Sequence, residues 1–298
     1  MLRLVAVCLL TLLVWLSPVP AQGWGFDAHR YITERAIDRL PPEIRPVFEQ
    51  QKAFVVEHSV DPDLWRNAGF LEEPPRHFLD MDGFPSVAPA DVPRDYPAAV
   101  ARFGEELVKK NGTVPWRAQE MYEQLVRAFE QHGQGSSRWA LDNARFFAAA
   151  LSHYVADAHM PLHAVVNYDG QLTDQHGVHA RFESDLFHRN RDRLLIAPPD
   201  LAPAANARDA VFDALNGSFQ AVPALLAADR EAIGSGIEYD DAYFDRFWAG
   251  AGPLLEARIS RSISAVSAVI VGAWERAGRP DLRTSRPRPV AKKRTVTR

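Results

Sequence analysis

The stretch from His153 to Glu183 constrains this chain more than any other part of it. It reads His153-x3-Asp157-x5-His163-x15-His179-x3-Glu183. A spacing of four on a helix puts both side chains on one face, so His153 with Asp157, and His179 with Glu183, each form an imidazole–carboxylate pair. Met160-Pro161 ends the first helix, because the residue before proline is pushed out of the helical region. His163 then returns six residues after Asp157. Phe146, Phe147, Leu151 and Val155 surround the first pair with apolar surface, where unpaired charge is costly and a cation would relieve it. Imidazole nitrogen with carboxylate oxygen suits zinc. Two such pairs joined by a short loop predict adjacent metal sites.

Elsewhere the periodicity is helical almost throughout. Ile32, Ala36, Ile37 and Leu40 share one face of a helix that stops at Pro41-Pro42. The pattern repeats over about 97–110, with Gly104 a weak interior point, and over 116–131. A long helix follows with Ser136 or Ser137 as N-cap. Others begin near Val178 or cover about 207–228 and 253–277, whereas 71–96, rich in Pro, Asp and Gly, reads as loop. No alternating strand and no internal repeat stand out. The fold class is therefore all-α, a compact single-domain multi-helix bundle.

The two ends differ from this body. Met1-Leu2-Arg3, the apolar run Leu4–Leu16 and the small residues Ala21-Gln22-Gly23 read as a secretory signal over 1–23, too short to span a bilayer. Cleavage after Gly23 or after Ala21 fits, and the mature chain is expected to be secreted or periplasmic. The single cysteine, Cys8, lies inside that signal, so a disulfide framework and a multi-cysteine zinc ribbon are both excluded. Residues 278–298 carry eight Lys/Arg against one Asp and no aromatic residue, which reads as a basic disordered tail. The net charge of −4 thus conceals an acidic body, 24–277, joined to a tail of +7. The tail is solvated in the simplest reading; adhesion to an anionic surface is the alternative. No protein partner is implied.

The run Ser152-His153-Tyr154-Val155-Ala156-Asp157-Ala158-His159-Met160-Pro161-Leu162-His163 resembles the central motif of the zinc-dependent phospholipase C / S1–P1 nuclease superfamily. Trp24-Gly25-Phe26-Asp27-Ala28-His29 resembles its mature N-terminus. Val60-Asp61-Pro62-Asp63 and Arg76-His77-Phe78-Leu79-Asp80 resemble its middle motifs. The resemblance implies a helical fold, one domain over 24–277, holding three zinc ions. Asp61, His77, His153 and Asp157 would hold the first, and His163, His179 and Glu183 the second. Trp24, through its free α-amine and carbonyl oxygen, would hold the third with His29 and the bridging Asp157. An amine chelates only as a chain terminus, so cleavage after Gly23 would complete that site. Asp61 is expected to orient the attacking water, with a catalytic role as general base.

The implied activity is zinc-dependent hydrolysis of phosphoric esters, with metal-activated water attacking phosphorus. Two branches stay open. The Trp24–His29 spacing resembles the nucleases, whereas the His179-x3-Glu183 pair and the Asn167–Thr173 stretch resemble the phospholipase C-like branch. An acidic body weakens non-specific nucleic-acid binding, which needs cations for the backbone. The reading is therefore phospholipase C-like, acting on a phospholipid head group or another phosphate ester. A single-strand nuclease or 3′-nucleotidase acting on nucleic acid or nucleotides is the alternative, and a non-catalytic zinc-binding or adhesion protein the third. Among the other histidines, His58, His132 and His188 read as surface or packing residues, while His159 and His176 lie near the cluster. The seven tryptophans read mostly as core residues, with Trp65 the one candidate for a pocket wall.

Overall fold

The computed structural model describes residues 24–234 and 238–282. The stretch read as a signal (1–23) and residues 283–298 of the stretch read as a tail lie outside the described residues. Helices account for all regular structure among the described residues, with no strand, so the protein is all-α as its periodicity predicts.

The core is built on four long helices. These are α7 (Val114–Gly133), α8 (Ala140–Asp157), α11 (Ala207–Ile233) and α12 (Asp241–Arg276). Helix α7 packs against α8, and α11 against α12, with α1 (Phe26–Asp38) lying across α8 and α12. The apolar stripe of α7, from Val114 through Ala118, Tyr122 and Leu125 to Phe129, is buried. In α8 every side chain from Ala148 to Asp157 is buried, which explains the many alanines: they let neighbouring helices approach closely.

Several boundaries differ from the sequence reading. Helix α12 starts at Asp241 rather than near 253, because Asp240 caps it by accepting from the Tyr243 backbone N–H at 2.8 Å. Pro253 therefore sits inside the helix, as Pro223 does in α11. Burial of Tyr243, Phe244, Phe247 and Ala251 upstream of Pro253 offsets the backbone hydrogen bond that the proline removes. Gly104 is a break and not an interior point: its φ of +81° separates α5 (Tyr96–Phe103) from α6 (Glu105–Lys110). Helix α8 begins at Ala140, past the expected caps at Ser136 or Ser137. Beyond Ala277, the Pro280 carbonyl accepts from Trp274 Nε1 at 3.0 Å and Leu282 is buried, so the packed body reaches into the segment read as tail.

The stretch after α1 holds three short helices that periodicity did not reveal: α2 (Arg45–Glu49), α3 (Lys52–Glu57) and α4 (Asp61–Asn67). The 71–96 segment is loop with isolated 3-10 turns, and a tight turn at Gly112 clamps it. A Cβ at Gly112 (φ +97°) would lie 2.1 Å from the Phe78 carbonyl oxygen, so only glycine fits. Backbone bonds from Asp80 to Asn111 (2.7 Å) and from Leu79 to His163 (2.9 Å) complete the clamp.

The segment after Gly177 is α9 (Val178–Ala180), a π-turn (Arg181–Asp185) and α10 (Leu186–Asn190). Arg181 anchors it: its guanidinium meets buried Asp229 of α11 at 3.1 Å, and Tyr243 donates its hydroxyl to the same carboxylate. Removing one partner of a buried pair strands the other charge. Asp229→Ala is therefore expected to cost about 3–5 kcal/mol, read as a shift in the urea midpoint. An unchanged midpoint would show that Arg181 finds water instead.

Candidate metal centre

Six segments converge at the C-terminal end of α8. Helix α1 brings His29, α4 brings Asp63, the clamped loop brings His77, and α8 brings His153 and Asp157. The π-turn region adds His179 and Glu183 beside His163, which follows the Pro161 break. Their donor atoms form three groups, each with all atoms within 4.8 Å of one another: His29–His153–Asp157, Asp63–His77–His153 and His163–His179–Glu183. All eight residues are buried.

Asp157 is the hub. One carboxylate oxygen lies 3.4 Å from His29 Nε2 and 3.6 Å from His163 Nδ1, and the other lies 3.0 Å from His77 Nδ1 and 3.2 Å from His153 Nε2. Trp24 is fully buried and its indole donates to the Ala156 carbonyl at 2.8 Å, one residue from the hub.

The position expected of Asp61 is occupied by Asp63. Asp63 is wholly buried, with Oδ1 3.8 Å from His77 Nδ1. Asp61 instead takes a hydrogen bond from His58 at 2.8 Å and is partly exposed. Two residues apart on α4, the two side chains point to opposite sides of the helix, and only Asp63 faces α8.

The imidazoles are aimed by backbone carbonyls. His153 Nδ1 donates to Ser59 O at 2.9 Å and His179 Nδ1 to Tyr168 O at 2.8 Å, which turns each Nε2 toward the cluster. Among the described residues, twelve buried side-chain nitrogens and oxygens make no well-formed hydrogen bond, and eight belong to His29, Asp63, His77, Asp157, His163 and Glu183, with Asp63 Oδ1 meeting the Arg66 guanidinium as an ion pair. Native proteins rarely leave such atoms together in one place. Nitrogen and carboxylate donors in groups of three or more fit zinc.

Charge follows burial here. Burial, with His153 adding to it, holds His29 below its ordinary value, and burial presses His163 well below its own. Both are therefore neutral, the form that coordinates metal. Burial alone would raise Asp157, but His153, His163 and His29 hold it well below the usual carboxylate range. Burial lifts Glu183 to about 7 against the pull of His179. His179, depressed by burial, is nonetheless raised by Glu183. Proton and metal thus compete for Glu183 and His179. Zinc affinity of the His163–His179–Glu183 group is expected to fall by at least about tenfold per unit as pH drops below 7, measured by competition with a chromophoric chelator. A flat profile would overturn this ligand assignment.

A cleft of about 530 Å³ opens over His77, His163 and His179. Phe78, Leu162, Val166 and Tyr168 supply an apolar and aromatic wall, and Arg66, Lys110 and Asp80 supply charge. Arg66, which sequence reasoning missed, sits 2.9 Å from Asp63; its spacing of three on α4 was the available signal. Asp80 is pushed up to about 7 by burial and by Asp82, so it carries a proton for part of the time at neutral pH.

Residues 28–224 match the protein family described as zinc dependent phospholipase C. The chain belongs to that family. Its membership accounts for the buried His/Asp/Glu groups as sites compatible with zinc. No match was found among curated proteins. One similar solved structure is the alpha-toxin of Clostridium perfringens isolated from an avian strain, at 13% identity and a TM-score of 0.49. The match covers 87% of this chain and 65% of the toxin chain, so the family member described here spans under two thirds of the toxin's length. No helix among the described residues is long and apolar enough to cross a membrane.

The remaining expectations sort by position. His58, His176 and His188 are not buried and stand outside the three groups. His159 is buried but turns its Nδ1 to Val155 O at 2.8 Å, away from the cluster. Trp65 packs 6.3 Å from Phe146 and does not line the cleft.

Proposed function

We propose that this chain is an exported hydrolase of phosphate esters, of phospholipase C type, that works with three zinc ions. The observation that carries the reading is the set of eight buried donor atoms without a well-formed hydrogen bond beneath a cleft with both apolar and cationic walls. Asp63, His77, His153 and Asp157 would hold one ion, and His163, His179 and Glu183 a second. His29 and Asp157, with the α-amine and carbonyl of Trp24, would hold the third. Cleavage after Gly23 would free that amine, and N-terminal sequencing of the secreted protein tests it. When bound, zinc would lower the pKa of a water toward neutrality and offset charge on the phosphoryl group.

The chain's own residues do the rest. Arg66 and Lys110 draw the phosphate to the mouth of the cleft. The wall of Phe78, Leu162 and Tyr168 holds the apolar part of the ester and excludes water. Asp63, in place of Asp61, stands where it can orient the attacking water. Asp80 in its protonated form can donate a hydrogen bond to a head-group oxygen.

A nuclease reading draws on the same Arg66 and Lys110, because cations beside an aromatic ring also suit a nucleotide. One panel separates them: purified protein with and without chelator on a phosphocholine ester, single-stranded DNA and a 3′-nucleotide. Chelator-sensitive turnover of the first alone supports the phospholipase. Turnover of the other two reverses the choice, and zinc binding without turnover supports a non-catalytic zinc protein.

A further inference from the structure

Behind the segment that carries Asp157 and His163 lies a second cavity, of about 560 Å³, within the usual ~300–1,000 Å³ of small-molecule sites. It is bounded by α11, α12 and the 201–204 stretch and is separate from the metal cleft, with which it shares no lining residue. Six alanines and Leu201 supply its apolar wall, beside His159, Gly217 and Gln220. Its charge comes from Arg258 and Arg261, one turn apart on α12, and from Asp213. Asp213 is already committed to Arg94 at 2.5 Å.

Arg258 is 94% buried by its 6% exposure, yet neither it nor Arg261 has a carboxylate within ion-pair distance among the described residues. Its Nε donates to His159 O at 2.9 Å, and its Nη2 to Ala214 O at 3.0 Å and Ser218 Oγ at 2.5 Å. Those bonds give Arg258 a structural task, fastening the end of α8 to α11 and α12. They leave Nη1 without a protein acceptor. Gly217 keeps that atom accessible: a Cβ there would lie 3.1 Å from it. A buried guanidinium whose acceptors are all neutral lacks the counter-charge that normally offsets its desolvation. Burial and Arg261 pull it down to about 10, so it is still charged at neutral pH.

We infer that this cavity binds an amphiphilic anion, its charged group on Arg258 Nη1 and Arg261 and its aliphatic chain along the alanine wall. Two cations without carboxylate partners select a negative head group, and the small apolar side chains beside them leave room for an aliphatic chain. A head group alone would leave that wall in contact with water.

Octanesulfonate is the probe, since a sulfonate ligates zinc weakly and so avoids the metal cleft. Calorimetric titration into the zinc-loaded full chain is expected to show one saturable site, with methanesulfonate at least tenfold weaker. Arg261→Gln, on an exposed side chain, and Ala265→Leu, which fills the channel, are each expected to weaken octanesulfonate at least tenfold. Asp63→Asn is expected to leave it unchanged. The inference fails if nothing saturates at millimolar probe or if both cavity variants bind like the parent. It also fails if methanesulfonate binds equally well, or if Asp63→Asn alone abolishes binding.

Discussion

Asp63→Asn is expected to lower phosphate-ester turnover by roughly a thousandfold and to remove one equivalent of zinc, whereas Asp61→Asn keeps both. The two residues are separated by a single proline, yet their surroundings differ in kind. Asp63 is wholly buried, 3.8 Å from a ligand imidazole and 2.9 Å from Arg66. Losing its charge removes an oxygen donor from the Asp63–His77–His153 group and leaves Arg66 beside an amide. Asp61 pairs with the partly exposed His58 and stands outside the three donor groups. Its amide should therefore alter neither metal nor rate beyond a few-fold. Metal analysis of both variants, with steady-state kinetics on whichever ester the panel identifies, gives the comparison. The reverse pattern would return the catalytic role to Asp61.

Asp157→Ala should be the most damaging single change in the centre. Four imidazoles lie within 3.0–3.6 Å of its two oxygens, so its loss removes the carboxylate of the His29–His153–Asp157 group and the neighbour of His77 in the Asp63–His77–His153 group. The variant is expected to bind zinc only at His163–His179–Glu183. In the zinc-free state it should also be less stable by about 3–5 kcal/mol, the cost of breaking a buried charged network. This part has a pH signature. The Asp157 pKa is depressed in the folded state, so its stabilisation is present above the ordinary carboxylate value and lost as pH falls through the folded one. Zinc-free parent and variant should therefore converge in stability toward strongly acidic pH and diverge near neutrality. Parallel curves of urea stability against pH would sink the hub assignment. Asp157→Asn distinguishes lost charge from lost volume.

The parts legible in the sequence were those set by local spacing. Helical periodicity identified the all-α class. The i, i+4 pairs identified His153 with Asp157 and His179 with Glu183, because a helix holds such pairs on one face whatever surrounds it. Proline at 161 and the return of His163 were equally local. Burial around the first pair could be read from Phe146 to Val155, since an apolar surface that wide has to be covered.

Tertiary structure decided what local spacing leaves open. Neighbours two apart on a helix point about 200° from each other, so the choice between Asp61 and Asp63 depends on which face of α4 meets α8. Nothing in the four residues around them fixes that face. The sharing of Asp157 among His29, His77, His153 and His163 joins ligands from four separate segments, which no periodicity encodes. Arg66 enters the cleft, and Arg258 lines a second cavity, for the same reason: a cation's role depends on whether packing supplies it with a carboxylate. The sequence by itself determined the class of fold and the chemistry of the ligands. Packing between distant segments determined which side chains stand within reach of a single ion and which charges are left facing a cavity.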